Sequence, residues 1–144
     1  MKVFTRRKHS GITLIEMMVV VVIIALFAAL VGPKMLGQAD KAKRTAAHAQ
    51  ISAFNTALGS YKLATGTFPT TEQGLNALRV RPENMPQWDG PYLQQDIPMD
   101  PWAHPYLYKY PADHGDEPDI VSLGADGQPG GEGNNADIAS WSSK

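Results

Sequence analysis

The chain has 144 residues, a formal net charge of −1 and no cysteine. This length allows one domain with a modest core, and the lack of cysteine excludes a disulfide scaffold, a thiolate zinc site and a cysteine nucleophile. The average charge conceals a division, because residues 1–11 carry four basic and no acidic side chains, whereas residues 66–144 carry four basic and twelve acidic ones. The sequence therefore predicts a basic head, an apolar rod and an acidic globular part.

An apolar stretch comes directly after the basic head. Residues 17–31 are all apolar, and extension back to Ile12 gives twenty residues interrupted only by Thr13 and Glu16. Twenty helical residues span about 30 Å, the thickness of the hydrocarbon core of a bilayer. Because the charges before this stretch are all basic, the positive-inside rule places the N-terminus in the cytoplasm and the later residues across the membrane. We predict a single-pass transmembrane helix over residues 12–32.

Two ordinary membrane-targeting segments share this apolar pattern. A cleaved secretory signal would be cut within residues 25–29, but no polar, helix-breaking region separates the apolar stretch from the rest of the chain. A plain signal anchor explains every feature except Glu16, because a carboxylate this deep in an apolar helix costs about 2.5–3.5 kcal/mol and requires a partner. Glu16 therefore indicates a function for this helix beyond anchoring.

The residues around Glu16 resemble the N-terminus of type IV pilin-like precursors. In the sequence GITLIE, Gly11 ends a short basic leader (residues 1–11) and Glu16 is the fifth residue after it; Pro33 also matches the family. The resemblance implies that a prepilin peptidase cuts between Gly11 and Ile12 and that the new amino group of Ile12 is methylated. Ile12 departs from the family pattern, in which most members carry Phe.

Cleavage would place a positive amine at the start of an apolar helix, one turn before Glu16. In a helical assembly, Glu16 of one subunit can pair with the amine of Ile12 in a neighbour, so that each buried charge meets its opposite. A shifted register would leave both groups unpaired at low dielectric. We therefore assign Glu16 to assembly and not to catalysis, and the resemblance adds Pro33 to the assembly segment.

Residues 33–66 are expected to extend the helix as an amphipathic segment. Gly32-Pro33 predicts a kink or local melting, and Gly66 is expected just past the helix C-terminus. Apolar residues recur every three or four positions, as expected for helix faces. One set contains Ala39, Ala42, Ala46, Ala49 and Ala53, and the other contains Ile51, Phe54, Leu58 and Tyr61. The alanine stripe would let another helix approach closely, and the larger side chains would cover a sheet.

Residues 67–144 are rich in Pro, Gly and Asp, which predicts short elements. Residues 70–73 form a capping-box pattern that opens a helix through about Leu78. Residues 105–110 and 119–123 predict two antiparallel strands. Because a hairpin alone is marginally stable in water, the long helix must cover it. The predicted fold is α+β: a long N-terminal helix, its first part transmembrane, packed against a small C-terminal antiparallel sheet.

Residues 123–138 combine five glycines with side chains that carry oxygen. Ca²⁺ takes about six to eight such hard oxygen ligands, backbone carbonyls included. The candidate side chains are Asp126, Glu132, Asn134, Asn135 and Asp137. The segment is not an EF-hand, because Gln128 and Gly130 occupy intermediate ligand positions and no helix is predicted to flank it. An ordinary flexible surface loop is the alternative to a calcium site.

Three motifs of the C-terminal half resemble the major, G-type pseudopilins of bacterial type II secretion systems. They are PMDPW at residues 98–102, PYLY at residues 105–108 and SLGADG at residues 122–127. Ala103 departs from the pattern, since relatives commonly have Gly there. Together with the N-terminal motif, the resemblance covers nearly the whole chain.

This resemblance implies one structural Ca²⁺ in the C-terminal loop. The backbone oxygen of Leu123 and the carboxylate of Asp126 are the best matches for its ligands, with Asp137, Asn134 and Asn135 as further candidates. Such an ion would neutralise clustered acids and tie the loop to a strand, so that its role is in folding.

The resemblance also implies a structural subunit that polymerises into a short periplasmic filament and helps to move folded proteins through the outer-membrane secretin. The implied partners are further copies of the chain, minor pseudopilins, an inner-membrane assembly platform and the prepilin peptidase. Before assembly, the chain would be anchored in the inner membrane with its C-terminal part in the periplasm. A type IVa pilin of a surface fibre is the alternative, but such pilins usually carry a C-terminal disulfide loop.

A signal-anchored periplasmic enzyme is the alternative from another class. The histidines show no metal-ligand spacing, the serines lie in no G-x-S-x-G motif, and Pro98 denies Asp96 and Asp100 a shared helix face. The basic cluster of residues 41–44 is interpreted as solvated surface, because no interleaved aromatic residues support nucleic-acid binding. We predict neither an enzyme nor a nucleic-acid-binding protein.

Overall fold

The computed structural model describes residues 11–142, without the side chains of residues 32–36. Apart from Gly11, the predicted leader lies outside the described residues. The described elements include one long helix, α1 (Leu14–Thr65), and three short strands, β1 (Leu107–Lys109), β2 (Asp119–Ser122) and β3 (Ile138–Ala139). A long N-terminal helix with a small antiparallel sheet confirms the predicted α+β class.

The chain divides into two units, Met1–Gln38 and Ala39–Lys144. In the first unit, the stretch Leu14–Val31 of α1 is long and apolar enough to cross a membrane, and none of it is buried against the residues that the structure describes. An apolar surface of this extent requires lipid or other protein chains around it. The prediction of a membrane-spanning segment is thus met by length, composition and exposure.

The backbone of α1 tests two predictions, a kink or local melting at Gly32-Pro33 and a helix end just before Gly66. The backbone is helical at Gly32 and Pro33, so the local melting expected there does not occur in the described backbone. After Thr65, Gly66 adopts φ +87° and its amide donates to the Lys62 carbonyl at 2.8 Å. A glycine in this left-handed conformation closes many helices, and the predicted end of α1 is confirmed.

In the second unit, the larger apolar face of α1 forms the core. Ile51, Phe54, Leu58 and Tyr61 are all buried in one cluster with residues of the sheet, including Ile120. The Phe54 ring also meets the Tyr106 ring edge-on, with 5.1 Å between centroids. Each such side chain contributes about 1.5–3 kcal/mol through burial. The helix face therefore covers the sheet as the spacing predicted.

The sheet is antiparallel throughout, with strand order β1-β2-β3. Leu107 pairs with Val121, and Ser122 pairs with Ile138. The first two strands fall within the predicted segments, at residues 107–109 and 119–122. The sequence did not predict β3, because two residues are too few to show an alternating pattern.

The prediction of an α-helix after residue 70 is wrong, although the predicted capping box forms. The Thr70 amide donates to Gln73 Oε1 at 2.9 Å and the Gln73 amide donates to Thr70 Oγ1 at 3.3 Å, which is the reciprocal capping box. However, Gly74 adopts φ +56°, outside the right-handed helical region. A turn and a short 3-10 helix, Leu75–Leu78, therefore replace the α-helix.

Two leucines on α1 allow a matched test of this core. Leu58 is 1% exposed and Leu63 is 90% exposed. We expect Leu58→Ala to lower the free energy of unfolding by about 3 kcal/mol, because it leaves a cavity in the core. Leu63→Ala should change it by less than about 0.5 kcal/mol. Urea unfolding of the full chain in detergent measures both, and equal effects would contradict this packing.

Candidate functional site

The first candidate site is the start of α1. Gly11, Ile12 and Thr13 precede the helix and are exposed, as a cleavage site must be. The Glu16 amide donates to Thr13 Oγ1 at 3.2 Å, which satisfies one of the unpaired donors of the first turn. The helix thus begins two residues after the predicted cleavage point.

The Glu16 carboxylate lies in the first turn of α1, where the helix dipole favours a negative charge. A complete capping box would have this carboxylate accept a hydrogen bond from the Thr13 amide. No such bond is found, and no other group within residues 11–142 pairs with the carboxylate. Glu16 is therefore available to a group outside the described part of the subunit.

The second candidate site is the C-terminal loop, residues 123–137, which folds back on itself after β2. The Ala125 amide donates to the Asn134 carbonyl at 3.0 Å. Gly124 has φ +67°, and a Cβ there would lie 2.9 Å from the carbonyl oxygen of Asn135 and 3.0 Å from those of Asn134 and Ala136. Three carbonyl oxygens thus converge on the start of the loop, and only glycine fits between them.

The two aspartates of the loop hold its turns through backbone amides. Asp126 Oδ1 accepts from the Gln128 amide at 3.1 Å, and Asp137 Oδ2 accepts from the Gly130 amide at 2.9 Å. The other oxygen, Asp137 Oδ1, is buried and has no hydrogen-bond partner. A buried carboxylate oxygen without a donor is costly, so Asp137 Oδ1 fits a cation ligand.

The composition of the loop limits the kind of metal it can hold. Within the described residues, no three His, Cys, Asp or Glu side chains lie close enough to form a metal cluster. A cation here would depend on carbonyl and amide oxygens beside the carboxylates of Asp126 and Asp137. Such oxygen sets suit Ca²⁺, which accepts backbone carbonyls, and not Zn²⁺.

The predicted ligands are only partly brought together. The backbone near Leu123 meets the Asn134 and Asn135 segment through Gly124. Asp126 and Asp137 instead bind the amides of Gln128 and Gly130, so each carboxylate holds the turn between them.

A buried carboxylate whose structural role the sequence did not reveal anchors the base of the loop. Asp100 is 4% exposed; its Oδ1 accepts from the amides of Trp102 and His104 at 3.0 and 2.8 Å, and its Oδ2 accepts from Ser122 Oγ at 2.6 Å. Burial and the nearby charge of Asp100 raise the pKa of Tyr106 to about 12. Asp100, weighed only as a weak catalytic candidate, is a structural residue here.

His104 extends this network to the loop itself. Its Nδ1 lies 3.1 Å from the Gly124 carbonyl oxygen, and because a carbonyl only accepts, Nδ1 must carry the proton. The ring also lies against Gly127, where a Cβ would come within 2.9 Å of its Nε2. His104 therefore packs against the loop.

The interpretation of the basic cluster as solvated surface is wrong for one residue. Lys41 and Lys43 are exposed, but Arg44 Nη1 donates to the carbonyls of Gly133 and Ala136 at 2.9 and 3.0 Å. These partners are 89 and 92 residues away in sequence, so no local pattern could indicate them.

Known proteins resemble both candidate sites. The family described as "Type II secretion system (T2SS), protein G" matches residues 34–141. A second family, the "Prokaryotic N-terminal methylation motif", matches residues 6–32. The first match contains the C-terminal loop, and the second contains Glu16 and the predicted cleavage site.

Among curated relatives, a type II secretion system core protein G of Pseudomonas aeruginosa is 47% identical over 139 residues, which cover 94% of this chain and 97% of the relative. The protein of that name in Vibrio cholerae is 46% identical over 138 residues, which cover 94% of this chain and 93% of that relative.

A solved structure is similar as well. The crystal structure of the major pseudopilin from the type 2 secretion system of enterohaemorrhagic Escherichia coli matches with a TM-score of 0.62 and 36% identity. The match covers 76% of this chain and 96% of that one.

The Asp100 network gives a test of how the loop is anchored. We expect Asp100→Asn to lower the free energy of unfolding by about 1–3 kcal/mol, because it removes the charge that three donors share. Asp96→Asn is the matched control, since the Asp96 side chain is 93% exposed beside Arg79 and should contribute less than about 1 kcal/mol. Urea unfolding measures both, and equal effects would contradict the anchoring role.

Proposed function

The chain belongs to the protein G family of type II secretion systems, and we propose that it is the structural subunit of the secretion pseudopilus. As such it polymerises into a periplasmic filament that helps to drive folded proteins through the outer-membrane secretin. The observation that carries this proposal is the exposed apolar stretch Leu14–Val31, which bears in its first turn a Glu16 that pairs with no group among the described residues. Such a helix has a use only inside a membrane or a bundle of like helices.

Before assembly, the apolar helix anchors the chain in the inner membrane, with the N-terminus in the cytoplasm and the C-terminal unit in the periplasm. The basic residues before the span favour this orientation, because positive side chains are retained on the cytoplasmic side. The C-terminal unit has its own core around Phe54, Leu58 and Ile120, which suits a domain outside the membrane.

Processing by a prepilin peptidase occurs between Gly11 and Ile12, followed by methylation of the Ile12 amine. The match of residues 6–32 to the N-terminal methylation motif supports this step, as does the exposed, non-helical backbone at the cleavage point. Removal of the leader leaves a new positive charge on Ile12, close to the first turn of α1.

In the filament, Glu16 of one subunit pairs with the Ile12 amine of a neighbour. Removing either charge from this pair leaves the other buried alone, which is strongly unfavourable. The pair therefore selects one register between subunits. Pro33, whose ring removes a backbone donor from α1, belongs to the same assembly segment.

One structural Ca²⁺ binds in the C-terminal loop. Its ligands are the backbone oxygen of Leu123, the carboxylates of Asp126 and Asp137, and the oxygens of Asn134 and Asn135. The unpartnered buried oxygen Asp137 Oδ1 supports this assignment. In a chain without cysteine, the ion takes the place of a disulfide in fixing the end of the chain.

The chain acts without catalysis of its own. Its partners are further copies of itself, minor pseudopilins, the inner-membrane assembly platform and the prepilin peptidase, and they do not include nucleic acid. The surface-fibre pilin alternative is not favoured, because the chain lacks the cysteines of a C-terminal disulfide loop.

Substitution of Glu16 tests the assembly role. We expect Glu16→Ala to abolish filaments seen by electron microscopy in cells that carry the secretion machinery, because the neighbouring amine loses its counter-charge. Glu83→Ala, which removes an exposed carboxylate of the C-terminal unit, should leave filaments intact. Circular dichroism should show both variants folded. Normal filaments in Glu16→Ala would refute the charge pair.

Chelation tests the calcium site. If free Ca²⁺ is about 100 times its dissociation constant, its removal costs about 2.7 kcal/mol, which lowers the melting temperature of a domain this size by about 10–20 °C. Asp126→Ala and Asp137→Ala should abolish this shift, whereas Asp116→Ala, at an exposed acid, should retain it. No shift on chelation, with Asp126→Ala also neutral, would leave an ordinary surface loop.

A further inference from the structure

One basic side chain of α1 reaches the C-terminal loop at a particular place. Arg44 Nη1 donates to the carbonyl oxygens of Gly133 and Ala136, at 2.9 and 3.0 Å. These two residues flank the pair Asn134 and Asn135. A single guanidinium nitrogen thus bridges both ends of the short 3-10 turn Gly133–Asn135.

A second side chain of α1 holds the same turn. Asp40 Oδ2 accepts from the side-chain nitrogen of Asn134 at 2.6 Å. Asp40 and Arg44 are four residues apart in α1, so they lie on one face of the helix. Because the Asn134 amide nitrogen binds Asp40, the other end of that amide, its oxygen, remains as the acceptor.

We propose that Arg44, assisted by Asp40, is a positioning residue that orders residues 133–136 before a cation binds in the C-terminal loop. The inference rests on the calcium site proposed above. Its physical basis is pre-organisation: a turn already held at both ends loses less conformational entropy when its oxygens bind an ion. The same turn supplies the carbonyl oxygens that pack against Gly124.

Charge and position have opposite effects at Arg44, which makes the proposal testable. A guanidinium near a divalent cation repels it, so charge alone would weaken calcium binding. The hydrogen bonds by which Arg44 positions the turn would strengthen calcium binding. Lysine keeps the charge but is a compact point charge without the planar fork of arginine, so Arg44→Lys removes the bridge and retains the repulsion.

The experiment compares Arg44→Lys with the matched control Lys43→Arg, at the exposed neighbouring position, in the full chain in detergent. Calorimetric titration with CaCl₂ should give a dissociation constant about tenfold higher for Arg44→Lys, and an unchanged one for Lys43→Arg. Hydrogen exchange in a chelator should show faster exchange at the Ala125 and Asp137 amides of Arg44→Lys. Asp40→Ala is a second variant, with about a threefold loss of affinity expected.

The outcomes separate the positioning role of Arg44 from the calcium proposal itself. Unchanged hydrogen exchange at Ala125 and Asp137 in both Arg44→Lys and Asp40→Ala would overturn the positioning role, whatever the affinity. An unchanged or tighter calcium affinity in both variants would also overturn it. If the unsubstituted chain binds no Ca²⁺, the calcium proposal fails, and the hydrogen exchange of the ion-free variants alone decides whether Arg44 orders the turn.

Discussion

The exposed apolar stretch in the first part of α1 is the constraint on which the rest of this protein depends. The stretch Leu14–Val31 is not buried by any part of the subunit that the structure describes, and water is a poor solvent for so much apolar surface. In the proposed function, lipid covers this helix before assembly and neighbouring helices cover it afterwards. Glu16 adds a second requirement, because a carboxylate in this environment needs a positive partner. The isolated subunit thus lacks both cover for its apolar helix and a partner for Glu16, and a filament of like subunits would supply both.

The second half of α1 has two faces with different roles. One face forms the core of the C-terminal unit with Phe54 and Leu58. Toward the N-terminus, the same face carries Asp40 and Arg44, which hold the C-terminal loop. The other face presents the alanine stripe, whose members are exposed: Ala39, Ala42, Ala46, Ala49 and Ala53. A small domain with short strands has few other means of fixing a long glycine-rich loop, so the helix takes that role through Asp40 and Arg44, and the proposed ion would add to it.

Sequence reasoning succeeded where the determining interactions are local. The first part of α1 follows from a long apolar stretch, its second part from hydrophobic periodicity, and its end from Gly66. The pairing of β1 with β2 follows from two short apolar segments close in the chain. Prediction from the sequence failed at Gly74, where a capping box indicated an α-helix but the backbone takes a conformation outside the helical region.

The supports of the C-terminal loop could not be predicted for a different reason. Arg44 meets carbonyl oxygens about ninety residues away, and a carbonyl has no signature in the sequence. Asp100 binds Ser122 across 22 residues, so its role appears only after the sheet forms. The candidate calcium ligands were visible in the sequence as a cluster of oxygen side chains, but the residues that hold the loop in place were not.

In the proposed function, processing of the N-terminus is the step that commits the chain to assembly, since the amine proposed to pair with Glu16 exists only after cleavage. The most direct measurement is the intact mass and N-terminal sequence of the chain purified from membranes of cells with an active prepilin peptidase. A mature chain that begins at methylated Ile12 is the predicted result. A chain that still begins at Met1 in those cells would contradict the filament function.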